Sequence, residues 1–187
     1  MYRLPSLIVL LILLTCASRL PADAPANPGG LKLVFPDVDG WTHAQPEALP
    51  PEHGGYMVDY ELARPHATAT LYVLDRGLPH IENNLTSEPI RTEFAAAKKS
   101  IQQAAQMGLY KNLKEEQSGE STLGQMKSAP KCLYARYAMT VEDQPVTSEL
   151  YVLPYRNHFI KFRITRVPGA DEALTRLHAA FAKMLAN

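Results

Sequence analysis

KCLYARYAMTVEDQPVTSELYVLPYRNHFIKFRITRV, residues 131–167, decides how this chain folds. In its first third Leu133, Ala135, Tyr137, Met139 and Val141 alternate with Cys132, Tyr134, Arg136, Ala138 and Thr140, the period of two that a strand imposes. Glu142-Asp143-Gln144-Pro145 reads as a polar turn. A four-residue loop there pairs Val141 with Val146, Met139 with Ser148, Tyr137 with Leu150 and Ala135 with Val152. The apolar faces of the two strands then coincide, which is what sets register. Tyr155-Arg156-Asn157 reads as a three-residue loop with Asn157 in the left-handed position. It pairs Val152 with Ile160 and Leu150 with Phe162 and, on the reverse face, Glu149 with Arg163 and Tyr151 with Lys161. A loop of two or four residues would set Leu150 against Arg163 or Lys161 instead.

The expectation is a three-stranded meander with one apolar face. Its other face collects Tyr134, Arg136, Glu149, Tyr151, Lys161 and Arg163. Such a face is ordinarily solvated or partly covered by a helix. Tyrosine and arginine are also what interfaces favour, so these six residues are the candidate interaction surface.

Outward from the meander, Leu31 to Phe35 is a short strand candidate, and Trp41 an anchor for the core at the head of an irregular segment. Tyr56, Val58, Tyr60 and Leu62 alternate as a strand. Ala67 to Leu74 is its β-rich return. Gly77 to Thr86 reads as a loop. Ser87-Glu88-Pro89 starts a helix with Ser87 as N-cap, and Gly108 stops it. Ile90, Phe94, Ala97, Ile101, Ala104 and Ala105 share one face of that helix; Arg91, Glu93, Lys98, Lys99, Gln102 and Gln103 take the rest. Leu109 to Glu116 reads as a strand, and Gln117 to Pro130 as a polar, turn-rich connection with a short strand near Thr122 to Met126. A last helix follows Gly169, with Asp171 and Glu172 at its positive end and an apolar stripe of Leu174, Leu177, Phe181, Met184 and Leu185. Together these elements predict an α+β fold, an antiparallel β-sheet with two amphipathic helices packed on it.

The chain opens with Arg3, an unbroken apolar run from Leu7 to Leu14, and then small residues. This is the pattern of a secretory signal peptide, shorter than a membrane span. Cleavage is acceptable after Ala17 or Ala26 and disfavoured after Ala24 by Pro25. The expected organisation is a signal peptide over 1–26 and one α+β domain over 27–187, a length that suits a single domain. Cys16 follows Leu13-Leu14-Thr15, as the lipid-bearing cysteine of a bacterial lipoprotein would, although Thr15 departs from the usual small residue; the simpler reading is a leader cysteine that is removed. Cys132 is then the only thiol left and reads as a buried, inert one. The sequence points to export, with the periplasm as destination.

Chemistry is sparse. The formal charge is zero, so no basic field points to nucleic acid. The six histidines, His43, His53, His66, His80, His158 and His178, share no metal-ligand spacing and read as scattered solvated side chains. No nucleophile elbow, phosphate loop or zinc-protease motif occurs. Asn84-Leu85-Thr86 matches a glycosylation triplet, which arises by chance. No catalytic residue, metal site or cofactor is expected.

Gly55-Tyr56 with Tyr60, Ala69-Thr70-Leu71-Tyr72-Val73-Leu74-Asp75, an amphipathic helix, Ser148-Glu149-Leu150-Tyr151-Val152 and Phe159-Ile160-Lys161-Phe162-Arg163-Ile164-Thr165 resemble, in that order, uncharacterised exported bacterial proteins. Those resemble in element order the PsbP-like fold, an antiparallel sheet sandwiched by helices, whose members are largely non-enzymatic accessory or assembly factors. The likeness rests on hydrophobic pattern from about Leu31 onward. It implies an exported, non-enzymatic binding or accessory module of the cell envelope with a protein partner. Its working surface would be the six-residue face or the loop Gly77 to Thr86. The alternative is an envelope hydrolase or small-ligand-binding enzyme with a cleft between sheet and helix. Absent motifs weaken that reading without excluding it, because triads assemble from distant residues.

Overall fold

The computed structural model describes residues 31–186. The expected leader, and Cys16 within it, lies outside them. The strands are β1 (Trp41–His43), β2 (Glu47–Ala48), β3 (Gly55–Leu62), β4 (Ala67–Leu74), β5 (Lys111–Thr122), β6 (Lys131–Val141), β7 (Gln144–Tyr155) and β8 (His158–Arg166). The helices are α1 (Glu88–Gln106) and α2 (Asp171–Ala186). The strands form one antiparallel sheet in the order β1-β3-β4-β8-β7-β6-β5, with β2 also paired to β3. The fold is α+β as expected, and the two helices lie on opposite faces of the sheet.

Alternation sorts the side chains between those faces. Under α2 lie Tyr56, Val58, Tyr60, Leu71, Val73, Tyr134, Tyr151, Leu153, Ile160, Phe162 and Ile164. The α2 stripe meets them through Leu174, Leu177, Phe181 and Leu185. The Phe181 ring stacks on Phe162 at 4.7 Å and meets Tyr60 edge-on at 5.1 Å. Each such side chain, fully buried, contributes about 1.5–3 kcal/mol. Trp41 is the anchor expected of it: it is buried, and its Nε1 donates to the Ala173 carbonyl at 3.1 Å, tying β1 to α2. Under α1 lie Ala135, Tyr137, Met139, Leu150 and Val152, against Ala97 and Ile101. Tyr72, Leu74, Leu133 and Phe159 lie against Ile90.

Both hairpins are tighter than the sequence suggests. Glu142 and Asp143 alone make the first turn, with φ of 48° and 63°; Arg156 and Asn157 make the second, with φ of 46° and 64°. Two consecutive positive φ values are the signature of a type I′ hairpin, whose twist suits the flanking strands. Its usual sequence marker is a glycine, and neither turn has one. In the first hairpin the pairing moves by two residues, Met139 facing Val146 and Tyr137 facing Ser148, so the faces are preserved. In the second it moves by one, Leu150 facing Arg163 and Tyr151 facing Phe162, and β8 turns over relative to β7. Because each face of this sheet carries a helix over part of its area, neither is wholly apolar or wholly solvated, and a cation opposite a leucine breaks no rule here.

Three other elements differ from expectation. Residues 31–35 are not a strand, although the Leu31 carbonyl accepts the Tyr56 hydroxyl at 3.2 Å. The segment from Trp41 is irregular only in part: Trp41–His43 and Glu47–Ala48 pair with β3, and the residues between and after them are not strand. The strand expected over Leu109 to Glu116 continues to Thr122, consuming half of the supposed connection, and a 3-10 turn over Leu123–Gln125 follows. β5 is an edge strand. Register shifts at Lys111/Lys114 and Glu115/Gln117, with a charged sequence, blunt that edge against further pairing.

Candidate functional site

The six candidate surface residues do not share a face. Tyr134, Arg136, Glu149 and Tyr151 lie on the α2 side and Lys161 and Arg163 on the α1 side, a consequence of the one-residue difference at the β7–β8 turn. Tyr134, Glu149 and Tyr151 are buried.

The α2 side holds a closed polar cluster. Glu149, 5% exposed, accepts the Tyr134 hydroxyl at 3.3 Å and the Tyr151 hydroxyl at 3.1 Å, and pairs with Arg166 Nη1 at 3.4 Å. The Glu149–Arg163 cross-strand pair expected from the sequence does not form. Burial, with Glu149 next, drives both tyrosine pKa values up, that of Tyr134 to about 12. Arg166 also reaches Asp171 at 3.2 Å, tying β8 to the start of α2. His178 of α2, 5% exposed, sets its ring edge-on to Tyr151 at 5.3 Å, and its Nε2 has no hydrogen-bond partner. Burial pushes its pKa down to about 4, opposed by Glu149 and reinforced by Arg166. The turn after β5 closes over it. Gly124 has φ +61°, and a Cβ there would stand 2.5 Å from the His178 Cβ. Cys132 lies in the same layer, fully buried, with burial raising its thiol to about 12: an inert thiol, as the sequence suggests.

The α1 side holds a second buried acid. Glu93 receives Arg76 through Nε at 3.0 Å and Nη2 at 3.1 Å, and Lys161 Nζ at 3.2 Å. Arg76 also contacts His53 Nδ1, and Lys161 Nζ stands 4.6 Å over the Tyr72 ring. Burial alone would raise the Glu93 pKa; the hydrogen bond from Arg76 and the charges of Lys161 and Arg76 outweigh it and hold it below the usual range. For Lys161, burial dominates and lowers the pKa against the pull of Glu93.

Neither Glu93 nor His178 stands out in the sequence, yet a signal exists for both. Glu93 falls in the series Ile90, Glu93, Ala97, Ile101, Ala104, and His178 in Leu174, His178, Phe181, Leu185. Those are steps of three and four, the buried stripe of a helix. The expectation that all six histidines are solvated is corrected for His178 and for His158, both buried.

The helix α1 runs diagonally and leaves one corner of its sheet face open. Two cross-strand rows begin in it and run on beneath α1: Asp59–Thr70–Arg163–Leu150–Ala135 and Glu61–Thr68–Thr165–Ser148–Tyr137. Their β3, β4 and β8 members are all at least partly exposed. Thr70 donates to Asp59 Oδ1 at 2.6 Å, Ser148 and Thr165 hydroxyls lie 3.1 Å apart, and Arg163 Nε donates to Ser148 Oγ at 3.3 Å. The Arg163 guanidinium stands 5.3 Å over the ring of Tyr110, which arrives from the α1–β5 connection.

Among the described residues seven lysines and arginines are partly buried: Arg76, Lys98, Arg136, Lys161, Arg163, Arg166 and Arg176. Six have an acid: Glu93 for Arg76 and Lys161, Glu115 for Lys98, Glu116 for Arg136, Glu149 and Asp171 for Arg166, Glu172 and Asp39 for Arg176. Arg163 alone of the seven has none among the described residues.

Two shallow clefts lie elsewhere. One, of about 520 Å³, runs between the loop Asn83–Thr86, Lys131, Tyr155 and Leu185. Of the loop Gly77 to Thr86, the other expected working surface, only Asn83–Thr86 line it. The second, of about 440 Å³, lies between Arg64, Gly169 and Arg176. Among the described residues no three histidine, cysteine or acidic side chains gather as a metal would require, and no helix is long and apolar enough to cross a membrane. Comparison with protein-family models, with curated proteins and with solved structures found no match.

Proposed function

We propose that this protein is an exported, non-enzymatic binding or accessory module of the bacterial cell envelope. Its working surface is the open corner of the α1-side sheet face, centred on Arg163. The observation that supports this most is the contrast in coverage. The α2 side is sealed over its polar groups, while the β3–β4–β8 corner on the other side presents hydroxyls, carboxylates and an arginine from a rigid sheet. Polar groups held on strands are pre-organised for recognition, which lowers the ordering cost of binding. Export follows from the leader pattern, and the accessory role from the likeness in element order to the PsbP-like class.

The enzyme alternative would draw its convergent groups from Glu149, His178, Tyr134 and Tyr151. These are buried, and neither cleft is lined by any of them. The binding reading therefore has the better support.

The test is photocrosslinking in the producing cell, with a photoreactive amino acid at position 68 in the open corner and a control at position 179 on the exposed side of α2. A discrete protein adduct from position 68 alone is the expected result. No adduct, or the same adducts from both positions, would overturn the reading.

A further inference from the structure

Resting on that reading, we propose that Arg163 recognises a single carboxylate carried by the partner protein. A partly buried guanidinium is costly to leave without a counter-charge. Its five N–H donors lie in a fixed fork, and burial without an acceptor is unfavourable. Among the described residues the protein pairs six of its seven partly buried cations with an acid of its own. At Arg163 it supplies one hydroxyl, through Ser148, and a ring beneath the guanidinium plane, that of Tyr110. Ser148 is itself fully buried and in contact with the Thr165 hydroxyl, so the fork is aimed rather than free to swing. Stacking on an aromatic ring and presenting paired N–H groups is the arrangement in which arginine binds planar oxyanions and lysine does not replace it.

The surroundings select among oxyanions. Asp59 stands two strands from Arg163 in the same row, Glu61 in the next, and the Thr70 hydroxyl between them is turned to Asp59. Two carboxylates at the rim oppose a phosphate dianion or a polyanionic surface more strongly than a monoanion. They also leave places for a basic or hydroxyl group beside the partner's acid. A lone aspartate, glutamate or chain terminus fits this distribution; a nucleic acid or an anionic membrane does not.

The test uses the purified mature chain and its R163K and R163Q variants. Sodium acetate, sodium phosphate and sodium chloride are titrated at constant ionic strength while the Arg163 Nε–Hε and Tyr110 ring resonances are followed by NMR. The expected result is a saturable response to acetate that chloride does not reproduce and phosphate reproduces more weakly. The Tyr110 response should weaken about tenfold in R163K and vanish in R163Q, the difference between a fork and a point charge. A response equal for all three salts, stronger for phosphate, or unchanged in R163Q would overturn the inference. A second arm repeats the crosslink from position 68 in R163K, with urea denaturation showing that the variant is folded. Loss of the adduct supports the carboxylate reading. An adduct undiminished in R163K overturns it while leaving the binding surface standing. Acetate binding with no adduct in the unmodified chain supports the chemistry at Arg163 and overturns the protein partner.

Discussion

The two faces of the sheet each bury one glutamate, and they neutralise it differently. Glu149 under α2 is held by two tyrosine hydroxyls and one arginine, in a layer that also contains a neutral histidine. Glu93 under α1 is held by an arginine and a lysine. On the α2 side the partly buried cations all pair with acids, and His178 Nε2 is left without a hydrogen bond inside a sealed layer. On the α1 side the cations outnumber the buried acid, and one of them, Arg163, is left without an acid at the corner the helix does not reach. A buried charge is tolerable where its hydrogen bonds are complete. What the comparison teaches is that an internal counter-charge marks structure, and the cation left without one marks the place to look for function.

Removing the α1-side acid tests this most severely. Glu93→Gln leaves Lys161 buried with no counter-charge and should cost about 4 kcal/mol, read by urea denaturation. The pair Glu93→Leu with Lys161→Met should recover at least half of what Glu93→Leu alone loses, since an apolar pair can replace a buried ionic one. A full loss in the double variant would mean that the charges are holding something other than each other.

Acid should separate the two faces by pH window. The His178 pKa is lowered from 6.5 to about 4 in the folded protein. The unfolded chain therefore takes up a proton, as pH falls from 6.5 to 4, that the folded chain refuses. Stability is complete above that window and is lost through it, by about 3 kcal/mol at about 1.4 kcal/mol per pH unit. Glu93 is also depressed, from 4.5, so the stability it contributes is present above pH 4.5 and is lost on further acidification. His178→Gln should flatten the upper limb and leave the lower. If instead the upper limb survives that substitution, the α2 cluster is not what senses pH.

How legible this was in the sequence depends on what each signal assumes. β4, over Ala67–Leu74, and the β3 alternation were readable because period two needs no knowledge of the partner. The apolar stripe of α2 was readable for the same reason. Register was not, because it was argued from a single buried face, and this sheet has two. That premise rejected the Leu150–Arg163 pairing that is present. The turns were misjudged because Glu142-Asp143 and Arg156-Asn157 adopt left-handed conformations without glycine, at a local cost repaid by the strands they join. Of the site, Arg163 was named in the sequence for a face it does not occupy. Its companions Asp59, Thr70 and Tyr110 come from elements far apart in the chain, and no local pattern links them.

A smaller effect is expected where the α2 cluster meets the turn after β5. Gly124→Ala combines a left-handed φ with a Cβ pressed on His178, and should cost about 2 kcal/mol. Hydrogen exchange should rise in residues 123–130 and in the second half of α2 while the amides under α1 keep their protection. Equal loosening on both sides would show that the two faces do not respond separately.

The smallest expected effect bears most directly on function. Arg163→Gln removes one hydrogen bond, to Ser148, and a contact with Tyr110, and leaves no acid unpaired, because Arg163 has none. Its urea stability should therefore stay within about 0.5 kcal/mol of the parent. Set beside Glu93→Gln, the two substitutions each remove one charge from the same face of the same sheet, and only the one with an internal partner should be felt by the fold. If Arg163→Gln proves as costly as Glu93→Gln, the guanidinium is a structural strut and its outward face has no claim to a ligand. If it is silent in stability and loses the acetate response, the fold has kept a partly buried cation that it does not itself use.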